Sequence, residues 1–207
     1  MPRIADPFAS AVPAATPIAA APAAATEPQT PIIDLSPRRY RRSEVAAFCR
    51  VRDDWGQFSN FARCVLTVDG RTWRSSEALY QALRFPGLPE LQRRIFQAPD
   101  PFAVKQIAKE HYASSRDDWM AGARLSAMAW TLGVKARQWA PFSRQLLASV
   151  GQPIVEVSRI DGFWGARPDA EILFGVNALG QLLEFSRAGR SFSAPAGSML
   201  FGRPIVG

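Results

Sequence analysis

An α+β fold, mainly helical and confined to one compact domain, follows from three features of this chain. Its 207 residues suffice for one well-buried core and fall short of two large ones. Hydrophobic residues make up 47% and aromatics 11%, enough to pack such a core. Six stretches carry helix signals, against one short hairpin and one isolated strand.

From the N-terminus, residues 1–31 hold eleven alanines and seven prolines, and the recurring prolines interrupt every run that would become a helix. This segment is predicted to be a disordered tail. Only one arginine precedes it and no unbroken apolar stretch follows, so it is not read as a signal peptide; no span suits a membrane, and a cytoplasmic protein without membrane contact is expected. The domain is placed at residues 32–189, with order beginning between Ile32 and Arg42. "ARCVLTVDGRTW" alternates apolar and polar residues around Asp69-Gly70, which predicts a hairpin of Cys64–Val68 with Arg71–Trp73. "RSSEALYQALRF" predicts a helix capped by Ser75 or Ser76 and stopped by Pro86-Gly87. Helices are predicted at Pro89–Gln97 and, with Asp100 as cap and Pro101 in the first turn, at Pro101–Lys109. A longer helix is predicted from Asp117 or Asp118 to Gln138, since Leu125, Met128, Leu132 and Ala136 recur at spacings of three and four. "PFSRQLLASVG" predicts another helix, "PIVEVS" a strand, and "NALGQLLEFSR" a last helix capped by Asn177. Residues 190–207, rich in Gly, Pro and Ser, are predicted to form a loose tail.

Composition also limits the chemistry. Cys49 and Cys64 are the only cysteines and His111 the only histidine, which excludes a disulfide scaffold, a cysteine zinc cluster and a two-histidine metal site. No metal or cofactor is expected, and carboxylates, amides and aromatics are left to do any catalysis. The formal charge of +7 suits polyanionic partners, although apart from "SPRRYRR" the basic residues are scattered as on any solvated surface.

Several residues admit both a structural and a functional reading. Glu77, Tyr80, Gln81 and Arg84 share one helix face, where Glu77 either complements the helix dipole in water or sits as a carboxylate at the floor of a cleft. Trp119 either closes the core or joins a site. In "SRIDGFWGARP", Gly162 and Gly165 surround Trp164 with a backbone that permits close approach, and an indole there suits stacking on a flat heterocycle. Asp161 forms a turn or adds a polar group to the same cleft. Ser59 and Asn60 in "FSNF" either cap a turn or line a pocket rim.

Five blocks, "GQFSNFA", "DGRTWRSSEALYQALRF", "DPFAVKQIAKEHYASSRDDW", "IVEVSRIDGFWG" and "GVNALGQLL", resemble in order and spacing the NADAR (YbiA-like) family over about Val51 to Arg187. The resemblance implies a NADAR-like domain that hydrolyses N-glycosidic bonds, either of ADP-ribosylated guanine in nucleic acid or of ribosylamine intermediates of riboflavin synthesis. It implies catalytic roles at Glu77, with Asp161 as the second carboxylate, and substrate contacts at Ser59, Asn60, Lys105, Trp119, Trp164 and Asn177. Arg84 and Arg116 would meet a pyrophosphate. "ARPDAEILFGVNALG" replaces the glycine- and lysine-rich loop of the riboflavin branch, with Ala178 where that branch has arginine, so the likeness leans to the guanine branch. The expected function is release of ADP-ribose from guanine, an antitoxin-like reversal of DNA ADP-ribosylation, with ADP-ribosylated nucleic acid as partner and DNA before RNA. The alternatives are a ribosylated small molecule as substrate, or a non-catalytic module binding ADP-ribose or NAD.

Overall fold

Asp69 and Gly70 take φ of 48° and 71°, the paired left-handed conformation of a two-residue hairpin turn. They join the two strands of a hairpin in a fold whose computed structural model describes residues 30–205. The first strands, β1 (Arg38–Arg41) and β2 (Ala46–Phe48), precede β3 (Arg63–Val68), which pairs antiparallel with β4 (Arg71–Ser75). Alternation along β3 buries Cys64, Leu66 and Val68, while Arg63, Val65 and Thr67 face outward. Ser75 then accepts a hydrogen bond from the Ala78 amide and starts α1 (Ser76–Ala82). Two further helices, α2 (Pro89–Gln97) and α3 (Pro101–Glu110), each place proline in the first turn, and Asp100 caps α3 through the Ala103 amide.

The single long helix expected over residues 117–138 is broken. Gly122 takes φ of 147°, residues 119–123 form one wide turn, and the regular helix α4 begins at Arg124 and ends at Gln138. Only glycine adopts that conformation cheaply, so the periodic apolar pattern does not extend the helix through it. After α5 (Ala140–Ala148), strand β5 (Ile154–Glu156) pairs parallel with β2. β6 (Arg167–Asp169) and β7 (Ile172–Gly175) form a hairpin that joins β1 in a three-stranded sheet ordered β1-β7-β6. β1, β2 and the β6-β7 hairpin carry little alternation of their own and are set by pairing across more than a hundred residues. The last helix is α6 (Ala178–Arg187). The described residues thus contain six α-helices and small sheets, an α+β arrangement that is mainly helical.

The C-terminal end departs from the expectation of a loose tail. The proposed Ala/Pro tail lies outside the described residues except for Thr30 and Pro31, and just after it Asp34 exchanges two hydrogen bonds with the Gln181 amide. Residues 190–205 are packed, not loose. Phe192 and Leu200 are buried, β8 (Met199–Leu200) pairs with β9 (Arg203–Pro204), and Phe201 stacks on Trp73 with centroids 5.7 Å apart. Gln92, wholly buried, donates to the Met199 carbonyl and accepts from the Phe201 amide. Gly, Pro and Ser content describes local freedom; Phe201 finds its partners, Trp73 and Phe96, in distant segments, while Phe192 packs on Phe185 of the preceding helix. No helix of the described residues is long and apolar enough to cross a membrane.

Inside the core, Lys135 of α4 is completely buried and donates to the carbonyls of Gln57 (2.8 Å) and Ser59 (2.9 Å), over the Phe142 ring at 4.8 Å. Burial brings its ammonium down to about 8. Lys135→Met leaves both carbonyls without this donor. It is expected to lower the unfolding free energy by about 3 kcal/mol, measured by urea denaturation at pH 7; an unchanged midpoint would show that the turn stands without the lysine.

Candidate active site

α1 presents an unusual surface for a short helix: all seven of its residues are buried, including Glu77 and Gln81. Its start is docked on the turn at residues 56–60, where the Glu77 amide donates to the Asn60 carbonyl (3.1 Å) and Ser76 Oγ donates to Asn60 Oδ1 (3.0 Å). This aims Glu77 into a cavity of about 410 Å³ at the junction of α1, α3, the turn before α4, and the loop after β5. Glu77 is only 6% exposed. Burial pushes its carboxyl above the ordinary carboxylate range, opposed by the 2.9 Å hydrogen bond from Gln81 Nε2 and by the charge of Lys105.

Across the same cavity stands Glu156, which the sequence analysis did not single out. It is the last residue of β5, and its position is over-determined. Asn177 donates from Nδ2 to the Ile154 carbonyl (2.8 Å) and accepts at Oδ1 from the Glu156 amide (3.2 Å), so one side-chain amide imitates a neighbouring strand. Glu184 accepts from the Ile154 amide at 3.0 Å. Burial, then the charge of Asp161, pushes the Glu156 carboxyl up to about 7; Glu77 adds to this and Lys105 opposes it. A lone glutamate in the β-branched run "PIVEVS" reads as the outward residue of a strand, and only the fold reveals the loop and helix that enclose it.

The "DGFWG" loop lies over β5 because Gly165 has no side chain: a Cβ there would sit 2.5 Å from the Glu156 carbonyl oxygen. Asp161 Oδ1 accepts from the amides of both Phe163 and Trp164 at 2.9 Å, fixing the loop and leaving Asp161 itself as an anchored turn residue on the cavity wall. Trp164 meets Tyr80 edge-on at 6.0 Å, and Tyr80 meets Trp119 at 5.2 Å, so three aromatics of three separate segments form one wall. Burial pushes the Tyr80 hydroxyl upward, and its neighbours Glu77 and Asp161 reinforce this.

Cations occupy the rim. Arg84 donates from Nε to Ser115 Oγ at 2.7 Å and lies 5.7 Å over Trp119, while burial lowers its guanidinium from the ordinary arginine value. Arg124 stands 3.9 Å over Phe163, and Lys105 is exposed beside Phe61. Arg84 Nη2 and Gln81 Oε1 are buried without a hydrogen-bond partner among the described residues. Such groups cost stability, as do Trp73 Nε1 and Thr131 Oγ1 away from the cavity, but Arg84 and Gln81 line it.

Of the residues singled out from sequence, Ser59, Asn60, Glu77, Arg84, Lys105, Trp119, Asp161 and Trp164 line this cavity together. Two expected contacts do not. Arg116 bonds Asp118, Ser198 Oγ and the Ala196 carbonyl, tying down the C-terminal segment instead. Asn177 is 1% exposed and takes φ of 53°; it is neither a cavity residue nor a side-chain helix cap, because its amide is spent on β5. Besides Glu156, the cavity includes Arg124, whose position in the helix register the break at Gly122 decides.

Residues 47–189 match the NADAR domain. N-glycosidase YbiA of Escherichia coli (strain K12) is 33% identical over 137 residues, covering 66% of this chain and 82% of that protein. A riboflavin biosynthesis protein of Vibrio vulnificus is 33% identical over 143 residues, 69% of this chain; this chain spans only 38% of that relative's length. The NMR structure of E. coli YbiA superposes with a TM-score of 0.61 at 30% identity, over 70% of this chain and 83% of that one.

Two outcomes follow from the geometry. The Glu156 carboxyl, ordinarily near 4.5, holds its proton to about 7 in the fold, so the stability linked to that proton is lost as pH rises between those values. Glu156→Gln is therefore expected to stabilise the protein by on the order of 2 kcal/mol at pH 8 and by almost nothing at pH 4, read from thermal or urea unfolding at the two pH values. Gly165→Ala is expected to lower the melting temperature and detach the Trp164 loop, seen as increased quenching of tryptophan fluorescence by acrylamide; unchanged quenching would show that the close approach is dispensable.

Proposed function

This chain belongs to the NADAR family, and from that premise we propose that it is an N-glycosidase that hydrolyses the ribosyl C–N bond of ADP-ribosylated guanine in nucleic acid. The observation that carries the reading is the pair of carboxylates, buried Glu77 and half-buried Glu156, placed in one cavity against the aromatic wall of Trp119, Tyr80 and Trp164.

Breaking the bond between the anomeric carbon and a base nitrogen builds positive charge on the sugar and negative charge on the leaving base. Glu77, whose ionised form burial disfavours and Gln81 and Lys105 support, stabilises the cationic sugar as a carboxylate and takes a proton from the water that adds to the anomeric carbon. Glu156, protonated up to about 7, gives its proton to the departing nitrogen. Asp161, expected from sequence as the second carboxylate, is better read as a positioning residue, since Oδ1 is committed to two loop amides. Trp164 and Tyr80 offer ring surface to a flat base, and Arg84, Arg124 and Lys105 offer charge to a pyrophosphate. None of these steps calls on a metal or a cofactor.

A second reading keeps the bond and the carboxylates and changes the substrate to a ribosylamine intermediate of riboflavin synthesis; the name of the Vibrio relative supports it. Incubating the protein with a guanine-ADP-ribosylated oligonucleotide separates the two. Free ADP-ribose is expected by mass spectrometry, with the rate falling by about 10²-fold or more in Glu77→Gln. No release, together with consumption of the pyrimidine ribosylamine, would transfer the assignment to the second reading; tight ADP-ribose binding without turnover of either would make the domain a binding module. On the active substrate, kcat/KM is expected to fall as pH rises through about 7, where Glu156 loses the proton it donates. Glu156→Gln should abolish that limb along with most of the rate.

A further inference from the structure

The catalytic cavity does not end at Glu156. A second groove, about 840 Å³, opens from it and shares Ser59, Phe61, Lys105 and Glu156 with it. Its far wall is formed by the loop after β2 and by the first turn of α3, neither of which has a part in the chemistry described above. Arg50 and Arg52 project from that loop, both exposed. The loop is fixed, because Asp53 Oδ2 accepts from the amides of Cys49 and Arg50, each at 2.8 Å. On the opposite side Phe102 is 74% exposed yet held, its ring edge-to-face with Phe61 at 4.8 Å and 86°. A lone exposed phenylalanine is ordinary. Here it stands in a groove whose lining holds Lys105 and two guanidinium groups that have no ion-pair partner among the described residues, against one capping carboxylate, Asp100, and Glu156, which carries its proton up to about 7.

Cations spaced along a trough with an aromatic platform are what a phosphodiester chain with unstacked bases requires. An acidic peptide would satisfy the charges and leave the platform without a role. We propose that this groove binds the single strand that carries the modified guanine, with Arg50 and Arg52 on its phosphates and Phe102 under a neighbouring base. The inference rests on the nucleic-acid reading of the substrate. A base held in the cavity with Glu77 and Glu156 must already be out of a duplex, and the groove of Arg50, Arg52 and Lys105 gives the strand beside it an open, cationic wall to follow.

Two measurements on the intact protein test the groove and the reaction separately. Binding of an unmodified, fluorescein-labelled single-stranded oligonucleotide is followed by anisotropy as salt is varied. Arg50→Ala/Arg52→Ala is expected to weaken it by about tenfold or more at low salt and to reduce the slope of log affinity against log salt by about 1.4, two phosphate contacts fewer. Phe102→Ala is expected to weaken it by about tenfold with no change in that slope. Hydrolysis is then compared on ADP-ribosylated guanosine and on the same base within an oligonucleotide. KM for the oligonucleotide should rise in both variants, while turnover of the nucleoside stays within twofold of wild type. Strand affinity and salt slope unchanged in both variants would overturn the groove even if both substrates are hydrolysed. Arginine- and phenylalanine-dependent strand binding with no hydrolysis of either substrate would uphold the groove and remove the reaction assigned above.

Discussion

The ammonium of Lys135, buried without a carboxylate partner, is the contact on which the placement of the site depends. A charge in the interior is tolerated only when its donors are met, and two of them are met by the carbonyls of Gln57 and Ser59. That ties α4 to the turn at 56–60. Trp139 Nε1 donates to Gln57 Oε1 and the Gln57 amide donates to Gln145 Oε1, so α4 and α5 hold the turn from the other side. Asn60, carried by this turn, then receives the start of α1 through its carbonyl and its side chain. The position of Glu77 is inherited from this chain of contacts.

A second constraint works through β5. With β2 on one side, its remaining backbone groups are satisfied by Asn177 at the start of the last helix, by Glu184 within it, and by the Ala166 amide, which donates to the Glu156 carbonyl. The helix start is thereby locked to the strand end that carries Glu156. Two carboxylates thus arrive in one cavity from elements some eighty residues apart, each supported by hydrogen bonds that have nothing to do with its own charge. Their burial works against folding at neutral pH, since water would solvate both better. The unpartnered Arg84 Nη2 and Gln81 Oε1 add to that cost. A site that gives up stability in four places within one cavity is organised around something it binds.

Local signals read from the chain correspond to features a few residues long. Asp69-Gly70 makes its turn, Ser75 and Asp100 cap their helices, and Pro89 and Pro101 begin theirs, because each effect depends on backbone conformation and neighbours within one turn. Where a signal was outvoted, a tertiary contact decided. The helix predicted from Asp117 or Asp118 ran through Gly122, yet the chain breaks there and turns Trp119 and Met120 toward the cavity. The Gly-Pro-Ser ending looked free, yet Trp73, Phe96 and Gln92 bind it down.

The sequence by itself determined the helical character of the domain, the hairpin, the family blocks and most of the residues that meet in the cavity, because those blocks join motifs to positions without needing the fold. Only the tertiary structure brought Glu156 into the cavity with Glu77 and Asp161. Asp161 is a turn anchor and Glu156 the enclosed acid, a distinction made by which oxygen atoms the loop amides occupy and which side chain burial deprives of water. Arg116 and Asn177 look like ligand contacts in a motif and act as braces in space, because hydrogen bonds to the C-terminal segment and to β5 had first call on them. Residue type sets which chemistry is possible; burial and the competition for hydrogen-bond partners, both properties of the whole chain, set which residue performs it.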